Sequence, residues 1–376
     1  MKNKLLKNMD TRKYMMVFAL IGIWIVFTVI SEGTFLMPRN MSNLFRQSVF
    51  TGIMALGMVN VILLGEIDLS VGSIAGLCGG ILAMLNVWQG FSPGASIAVA
   101  LLAGLALGLW NGWWIAYRKV PSFIVTMAGL LIFRGILVGI SDGITVGPVS
   151  TFFSVIGKDF LPADIGMILG FAVILIFIIS QWSNWKRKRS LSLPAGNPVW
   201  ICIVFSALIV VFILTMNAYH GIPNPVIIMM LLFVLFQYIS TKTIFGRRIY
   251  AIGGNKMASR LAGINTKSIT LTVFAVNGVL AATAGIFLTS RLDAASVGAG
   301  TSAELDAIAA CVIGGTSLMG GIGSVSGAIV GAIVIASLDN GMSLLNAPSF
   351  YQTIVKGLVL ILAVWFDISR KKEGKE

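Results

Sequence analysis

Residues 243–267 read TIFGRRIYAIGGNKMASRLAGINTK, the longest polar interruption in an otherwise apolar chain. Counted from Lys242, the stretch carries six Lys or Arg residues and no acidic one, and an apolar run of membrane-spanning character stands on either side. The pattern predicts a basic segment held at a membrane surface by two spans. Its middle, Ala258–Gly263, predicts a short helix, with Gly253-Gly254-Asn255 as turn and N-cap signals before it and Gly263 placed to stop it. A short basic helix in this position suits docking of another protein. An ordinary loop obeying the charge bias of membrane insertion fits the same composition, so the rest of the chain has to decide.

The class follows from composition. The chain has 376 residues, 57% hydrophobic and only 11% charged, with a mean hydropathy of +0.93. A soluble protein of this length needs far more charged surface. Repeated runs of roughly 17–25 apolar residues predict an all-α polytopic membrane protein, and the short alternating segments of a β-barrel are not evident. The net charge of +13 does not point to nucleic acid, because the basic residues cluster between spans. Cys78, Cys202 and Cys311 all fall in apolar runs and read as small buried residues. Lys2, Lys4, Lys7, Arg12 and Lys13 precede the first apolar run, which is long and has no small-x-small cleavage site after it. A retained first span is expected rather than a cleaved signal.

Hydropathy places spans at about 14–31, 45–64, 69–88, 96–117, 121–140, 165–182, 198–217, 224–241, 268–290, 304–318, 323–339 and 350–368. With twelve spans both termini lie on one side, and that side holds 21 of the 27 Lys and Arg residues, against four (Arg39, Arg46, Lys158, Arg291) in the opposite loops. The asymmetry predicts that both ends are cytoplasmic. Residues 165–217 stand apart: two apolar runs around the basic cluster Lys186–Arg189, whose removal leaves ten spans and changes no other sidedness. The expectation is a single transmembrane domain over 1–376, with 165–217 as an inserted helical hairpin and 242–267 as a cytoplasmic loop. Glycines spaced by four at 76 and 80, at 104, 108 and 112, and at 323, 327 and 331 predict close helix packing.

Polar groups among apolar ones need a reason. Gly65–Ser73 places Glu66, Asp68, Ser70 and Ser73 between two spans. It reads either as a broken, re-entrant segment lining a polar path or as a tight turn in which Asp68 or Ser70 caps the next helix. Asn60, Asn111 and Asn277 lie within spans and can bind a hydroxylated solute or link two helices. Arg134 is expected to pair a carboxylate or snorkel outward, and Glu304 and Asp306 to favour the first turn of a helix. The lone histidine, His220, makes His-based metal or triad chemistry improbable, and the sequence holds neither His-Glu-x-x-His nor a G-x-x-x-x-G-K-[ST] phosphate loop. If the chain drives active transport, an ion gradient or a separate ATPase must supply the energy.

Four motifs carry a resemblance: LGEIDLSVG at 64–72, VPSFIVT at 120–126 followed by Arg134-Gly135, T-x-FGR at 243–247 with YAIGGN at 250–255, and GGTSLMGG at 314–321. In this order and spacing, across most of residues 40–368, the chain resembles the membrane permease subunits of bacterial ABC importers for monosaccharides of the ribose, galactose and xylose group. The resemblance implies a fold like the vitamin B12 importer permease, with about ten spans per subunit and two subunits around one pathway. It implies that the matching loop is the segment seated on the ATPase, with Arg247, Arg248, Gly253, Gly254, Asn255, Ser259, Arg260 and Gly263 at that surface. The family usually has glycine where Glu66 stands, which leaves Asp68 the better candidate of the two; with it, the polar groups Ser70, Asn60, Asn111 and Asn277 noted above complete the set of pathway candidates. The inserted hairpin looks like the longer xylose-type permeases. Implied partners are an ABC ATPase subunit, which would bind ATP and Mg so that this chain carries no cofactor or metal, and a periplasmic or lipid-anchored sugar-binding protein at a bacterial inner membrane. An ion-coupled secondary transporter with Asp68 as cation site is the alternative from another class, an intramembrane enzyme finds no nucleophile and base, and branched-chain amino acid permeases share the broad fold.

Overall fold

The computed structural model describes residues 11–193 and 196–373, with side chains described over 16–193 and 196–365. The basic residues of 1–10, which enter the charge count, and residues 374–376 lie outside these. The helices in order are α1 (Thr11–Ile30), α2 (Pro38–Leu63), α3 (Val71–Val87), α4 (Pro93–Ala116), α5 (Ser122–Ile140), the short α6 (Phe152–Gly157), α7 (Ala163–Ser190), α8 (Val199–Asn217), α9 (Asn224–Lys242), α10 (Ile244–Gly254), α11 (Lys256–Leu261), α12 (Thr266–Leu292), α13 (Ala303–Ile313), α14 (Val325–Leu344) and α15 (Ser349–Glu373). Proline opens α2 and α4, where its missing N–H costs nothing, and the Ser92 and Ser324 side chains cap α4 and α14 by accepting from Ala95 and Gly327 N–H. Eight of these helices are long and apolar enough to cross a membrane, and Met16–Ile30, Val71–Val87 and Ser349–Trp365 are shorter apolar helices.

The span expected at 304–318 is corrected. It is the eleven-residue α13 followed by irregular backbone around Gly314–Ser324. At ~1.5 Å per residue α13 is about 16 Å long, roughly half the hydrocarbon thickness. The non-helical segment 293–302 leads into α13 from the end of α12 and packs against the bundle. Arg134 of α5 donates to the carbonyls of Val297 and Ala299, and Gly300 lies against Gly72 at the start of α3. Arg134 therefore pairs carbonyls, where pairing with a carboxylate or snorkelling outward was expected, because a bent segment packed on the bundle leaves backbone acceptors that need donors.

The centre of the molecule is α12, which packs on α2, α3 and α4. The glycine ladder of α4 makes this possible: a Cβ at Gly108 would fall 2.4 Å from the Phe274 carbonyl oxygen, and one at Gly104 2.5 Å from that of Gly278. On α14, Gly327 and Gly331 receive the Gly314 and Ala310 carbonyls of α13 in the same way. The α7–α8 hairpin is mostly exposed. Phe177 and Phe205 stack at 3.8 Å between its helices, and Phe212 meets Phe45 of α2 edge-on. Two short strands, β1 (Phe160–Leu161) and β2 (Ile222–Pro223), pair antiparallel and close its base.

Candidate functional site

The stretch after α9 forms two helices rather than the one expected. Thr243 accepts from Gly246 N–H at 3.2 Å and starts α10, which buries Ile249 and Ile252 and turns Arg247 and Arg248 outward. Gly253 and Gly254 continue this helix instead of forming a turn, since the amphipathic pattern of 244–252 carries through them. Asn255 is the N-cap anticipated, accepting from Ala258 N–H at 2.9 Å, and α11 ends before Gly263, whose φ of +82° only glycine adopts freely. Arg260 is exposed, as are two apolar residues of α11 that charge counting overlooked: Met257 at 65% and Leu261 at 83% exposure. Gly253 and Ser259 face the protein and shape the module rather than its outer surface.

This module meets the core at three points, two of them bonds and one a close packing contact. Tyr250 donates to the Gly323 carbonyl at 3.0 Å. Gly321 N–H donates to the Leu63 carbonyl at the end of α2 at 2.9 Å, and Gly253 packs so closely there that a Cβ would lie 1.7 Å from the same oxygen. Lys256 pairs with Glu66 at 3.0 Å. Glu66, set aside in the sequence as a departure from the family pattern, is thus the residue through which α11 meets the α2–α3 connection.

From Glu66 the connection climbs back into the bundle. Ile67 N–H donates to Ser122 and its carbonyl accepts from Thr126, both on the first turns of α5. Asp68 accepts from Ser70 N–H at 2.9 Å and Ser70 Oγ at 2.6 Å through one oxygen, and from Asn277 Nδ2 of α12 at 2.8 Å through the other. Asn111 of α4 donates to Ser70 Oγ at 2.8 Å. Ser70 also packs against Gly129, seven residues into α5 and so about 10 Å from its end. The re-entrant reading of Gly65–Ser73 therefore matches the structure better than the surface turn.

Four of the five pathway candidates, Asp68, Ser70, Asn111 and Asn277, meet in one network tying α3, α4 and α12 together. Asn60 does not join it: it donates to the Leu56 carbonyl of its own helix, neither linking helices nor meeting the others. All five are buried, Asp68 to 1% exposure, so a solute reaches them only when the helices part. Among the described residues no group of three or more His, Cys, Asp or Glu side chains could hold a metal ion. A second polar cluster was not anticipated. Lys356 of α15 pairs with Asp306 of α13 at 3.0 Å and Asp339 of α14 at 3.3 Å. The signal in the sequence was a lone lysine inside an apolar run.

A bundle with broken crossings, a buried polar seam at its middle and a basic helical module at one end defines a multi-pass transport permease. The family profile described as branched-chain amino acid transport system, permease component, matches residues 40–364, and the chain belongs to this permease family. It is 52% identical over 372 residues to the xylose transport system permease protein of Escherichia coli (strain K12), covering 98% of this chain and 95% of the relative. The protein of that name in Haemophilus influenzae is 49% identical, covering 98% and 99%. The ribose import permease protein of Bacillus subtilis is 36% identical, covering 94% and 92%. No solved structure matches the chain. The relatives are permease proteins, and this chain is a transport subunit rather than an enzyme.

Proposed function

We propose that the chain is the membrane subunit of an ATP-driven sugar importer, translocating D-xylose into the cytoplasm. The observation that carries this reading is the identity of about half along nearly the whole chain to xylose transport permeases, against 36% to a ribose import permease. ATP and Mg would be bound by a partner ABC ATPase. The sugar would arrive from a periplasmic or lipid-anchored binding protein, and two copies of the chain would enclose one pathway in a fold like that of the vitamin B12 importer. The basic face, carrying α10, α11 and both termini, would be cytoplasmic in a bacterial inner membrane.

In this reading Arg247, Arg248, Met257, Arg260 and Leu261 present a surface of cations around apolar knobs to the ATPase. Nucleotide-driven movement of the ATPase would pull on α10 and α11. The Lys256–Glu66 pair and the Leu63–Gly253–Gly321 contact would pass that displacement to the α2–α3 connection, where the Asp68 network is placed to release or lock α3 against α4 and α12. A helix such as α3, whose N-terminus ends inside the bundle, can shift at its non-helical root without breaking a continuous helix.

The test is co-purification with a candidate sugar ATPase, comparing the wild-type chain with an R247E/R248E/R260E variant first shown to insert normally. Stable binding lost in the variant supports the reading. An absence of ATPase binding, with sugar accumulation by the purified chain alone under an ion gradient, would favour the second reading, an ion-coupled transporter using the buried carboxylate of Asp68.

A further inference from the structure

A cavity of about 180 Å³ opens where α11, the α4–α5 connection and the start of α12 meet. Its lining includes Lys119, Lys256, Arg260 and Lys267, with Glu66 as the single carboxylate, and the hydroxyls of Thr266 and Thr270. Like charges gathered around a concave site repel one another unless an anion sits among them, and a low-dielectric wall strengthens the field they focus.

Among the described residues only one of the four cations, Lys256, is paired with a carboxylate, that of Glu66. Arg260 donates its Nε to Thr266 Oγ1 at 3.3 Å, and no protein partner meets its two terminal nitrogens among the described residues. Lys267 lies 5.7 Å from the centre of the Tyr117 ring, an interaction that leaves its charge in place. Lys119 makes no hydrogen bond or ion pair among the described residues. Its φ of +61° closes the C-terminus of α4, where Val120 N–H donates to the Trp114 carbonyl at 3.2 Å, and this turn sets Lys119 at the cavity mouth. The long helix α12 begins at the cavity wall with Thr266, adding the positive end of its dipole.

We propose that this cavity binds a phosphate monoester. Lys119, Arg260 and Lys267 are exposed, so solvent screens each of them, but together they present to a compact anion of more than one negative charge three cations with no countercharge among the described residues. Arg260 offers paired N–H donors, the lysines offer mobile ones, and the threonine hydroxyls complete the shell of a tetrahedral oxyanion. The bound group ties α11, through Arg260, to the α4–α5 connection, through Lys119. It also competes with Glu66 for Lys256. The site is therefore placed to set how firmly the helical module is held to the bundle. The proposal concerns the chain itself and stands whether or not the importer reading does.

The phosphate can come from a soluble sugar phosphate or from a lipid headgroup, and titration calorimetry of the full chain in dodecyl maltoside, a phosphate-free detergent, separates them. One arm adds ribose 5-phosphate, with ribose as control. The other adds mixed micelles doped with phosphatidic acid, with phosphatidylcholine as control. Saturable binding in either arm is expected, weakened about tenfold or more in K119Q/R260Q, which removes two charge-assisted donors. E66Q, which removes the competing carboxylate, is expected to tighten it severalfold. Binding to phosphatidic acid alone identifies a headgroup as the source, and binding to the sugar phosphate alone a soluble ligand. Absence of saturable binding in both arms overturns the proposal. So does binding that survives K119Q/R260Q in a chain that elutes as wild type, or that weakens in E66Q.

Discussion

Lys256 and Glu66 stand 190 residues apart in the chain and 3.0 Å apart in the fold, joining the first residue of α11 to the segment that re-enters the bundle. Glu66 is mostly shielded while Lys256 is half exposed, so the pair adds little to stability, of the order of 0.5 kcal/mol. Its value lies in where it pulls. Glu66→Gln and Lys256→Gln should each leave the apparent melting temperature in detergent unchanged within a degree or two. Each should lower sugar-stimulated ATPase turnover of the reconstituted complex several-fold. The exchange E66K/K256E should restore much of that loss. Turnover insensitive to all three variants would mean that the pair transmits nothing.

Gly253 and Gly254 are neighbours on one helix and should respond oppositely to alanine. A Cβ on Gly253 would fall 1.7 Å from the Leu63 carbonyl, a backbone atom that cannot rotate away, whereas nothing lies within 4 Å of the corresponding position on Gly254. Gly253→Ala should cost about 3 kcal/mol through overpacking or drive α10 off the bundle. Gly254→Ala should be neutral or stabilising by up to ~1 kcal/mol, because alanine suits a helix better than glycine. Thermal shift in detergent separates them, and equal effects would contradict the packing.

The contacts of Lys356 with Asp306 and Asp339 fasten the last helix to α13 and α14. Lys356→Met keeps the length and apolar bulk of the side chain but leaves two carboxylates facing one another. The cluster is half-buried, so the loss should fall between the ~0.5 kcal/mol of an exposed pair and the ~3 kcal/mol of breaking a buried one, about 1–2 kcal/mol. Adding Asp339→Asn removes one of the uncompensated charges and should recover part of it. Limited proteolysis near the carboxyl terminus, more sensitive than melting to release of a single helix, is the suitable readout. A single variant as resistant as wild type would show α15 to be held by packing alone.

The long elements were legible because hydropathy over a full span is a strong signal: α4, α5, α8, α9 and α12 lie within a few residues of their expected bounds. The crossing through α13 misled for a physical reason. Its Ala- and Gly-rich run is apolar enough to enter the bundle, but partners such as Arg134, Val146, Leu63 and Tyr250 take up backbone groups of the non-helical segments 293–302 and 314–324, so continuous helix is not required there. In the helical module, cations marked the surface, but Met257 and Leu261 could not be told from core residues because a six-residue helix shows less than two turns of periodicity. Asp68, Ser70, Asn111 and Asn277 were each visible as costly polar residues. Their meeting was not, since it depends on α3 beginning inside the bundle rather than at its edge.

The contact between Asp68 and Asn277 is where that network is most vulnerable. Asn277 Nδ2 is the donor to one carboxylate oxygen at 2.8 Å, and Ser70 occupies the other. Asn277→Asp replaces the donor by a second carboxylate at the same distance. At an effective dielectric constant of ~20 the repulsion is about 6 kcal/mol if both ionise, enough to part α3 from α12 or to force one to hold a proton. Asp68→Asn alone keeps an acceptor for Ser70 and should be milder. The exchange D68N/N277D places one amide and one carboxylate back in contact with the donor reversed, and should recover most of the stability lost in N277D. Recovery of melting without recovery of sugar transport would separate the two roles of this seam: the pair would then be a lock, and the charge on the α3 side would matter for transport in its own right. If the exchange melts as low as N277D, the hydrogen bond is not what holds α3 to α12.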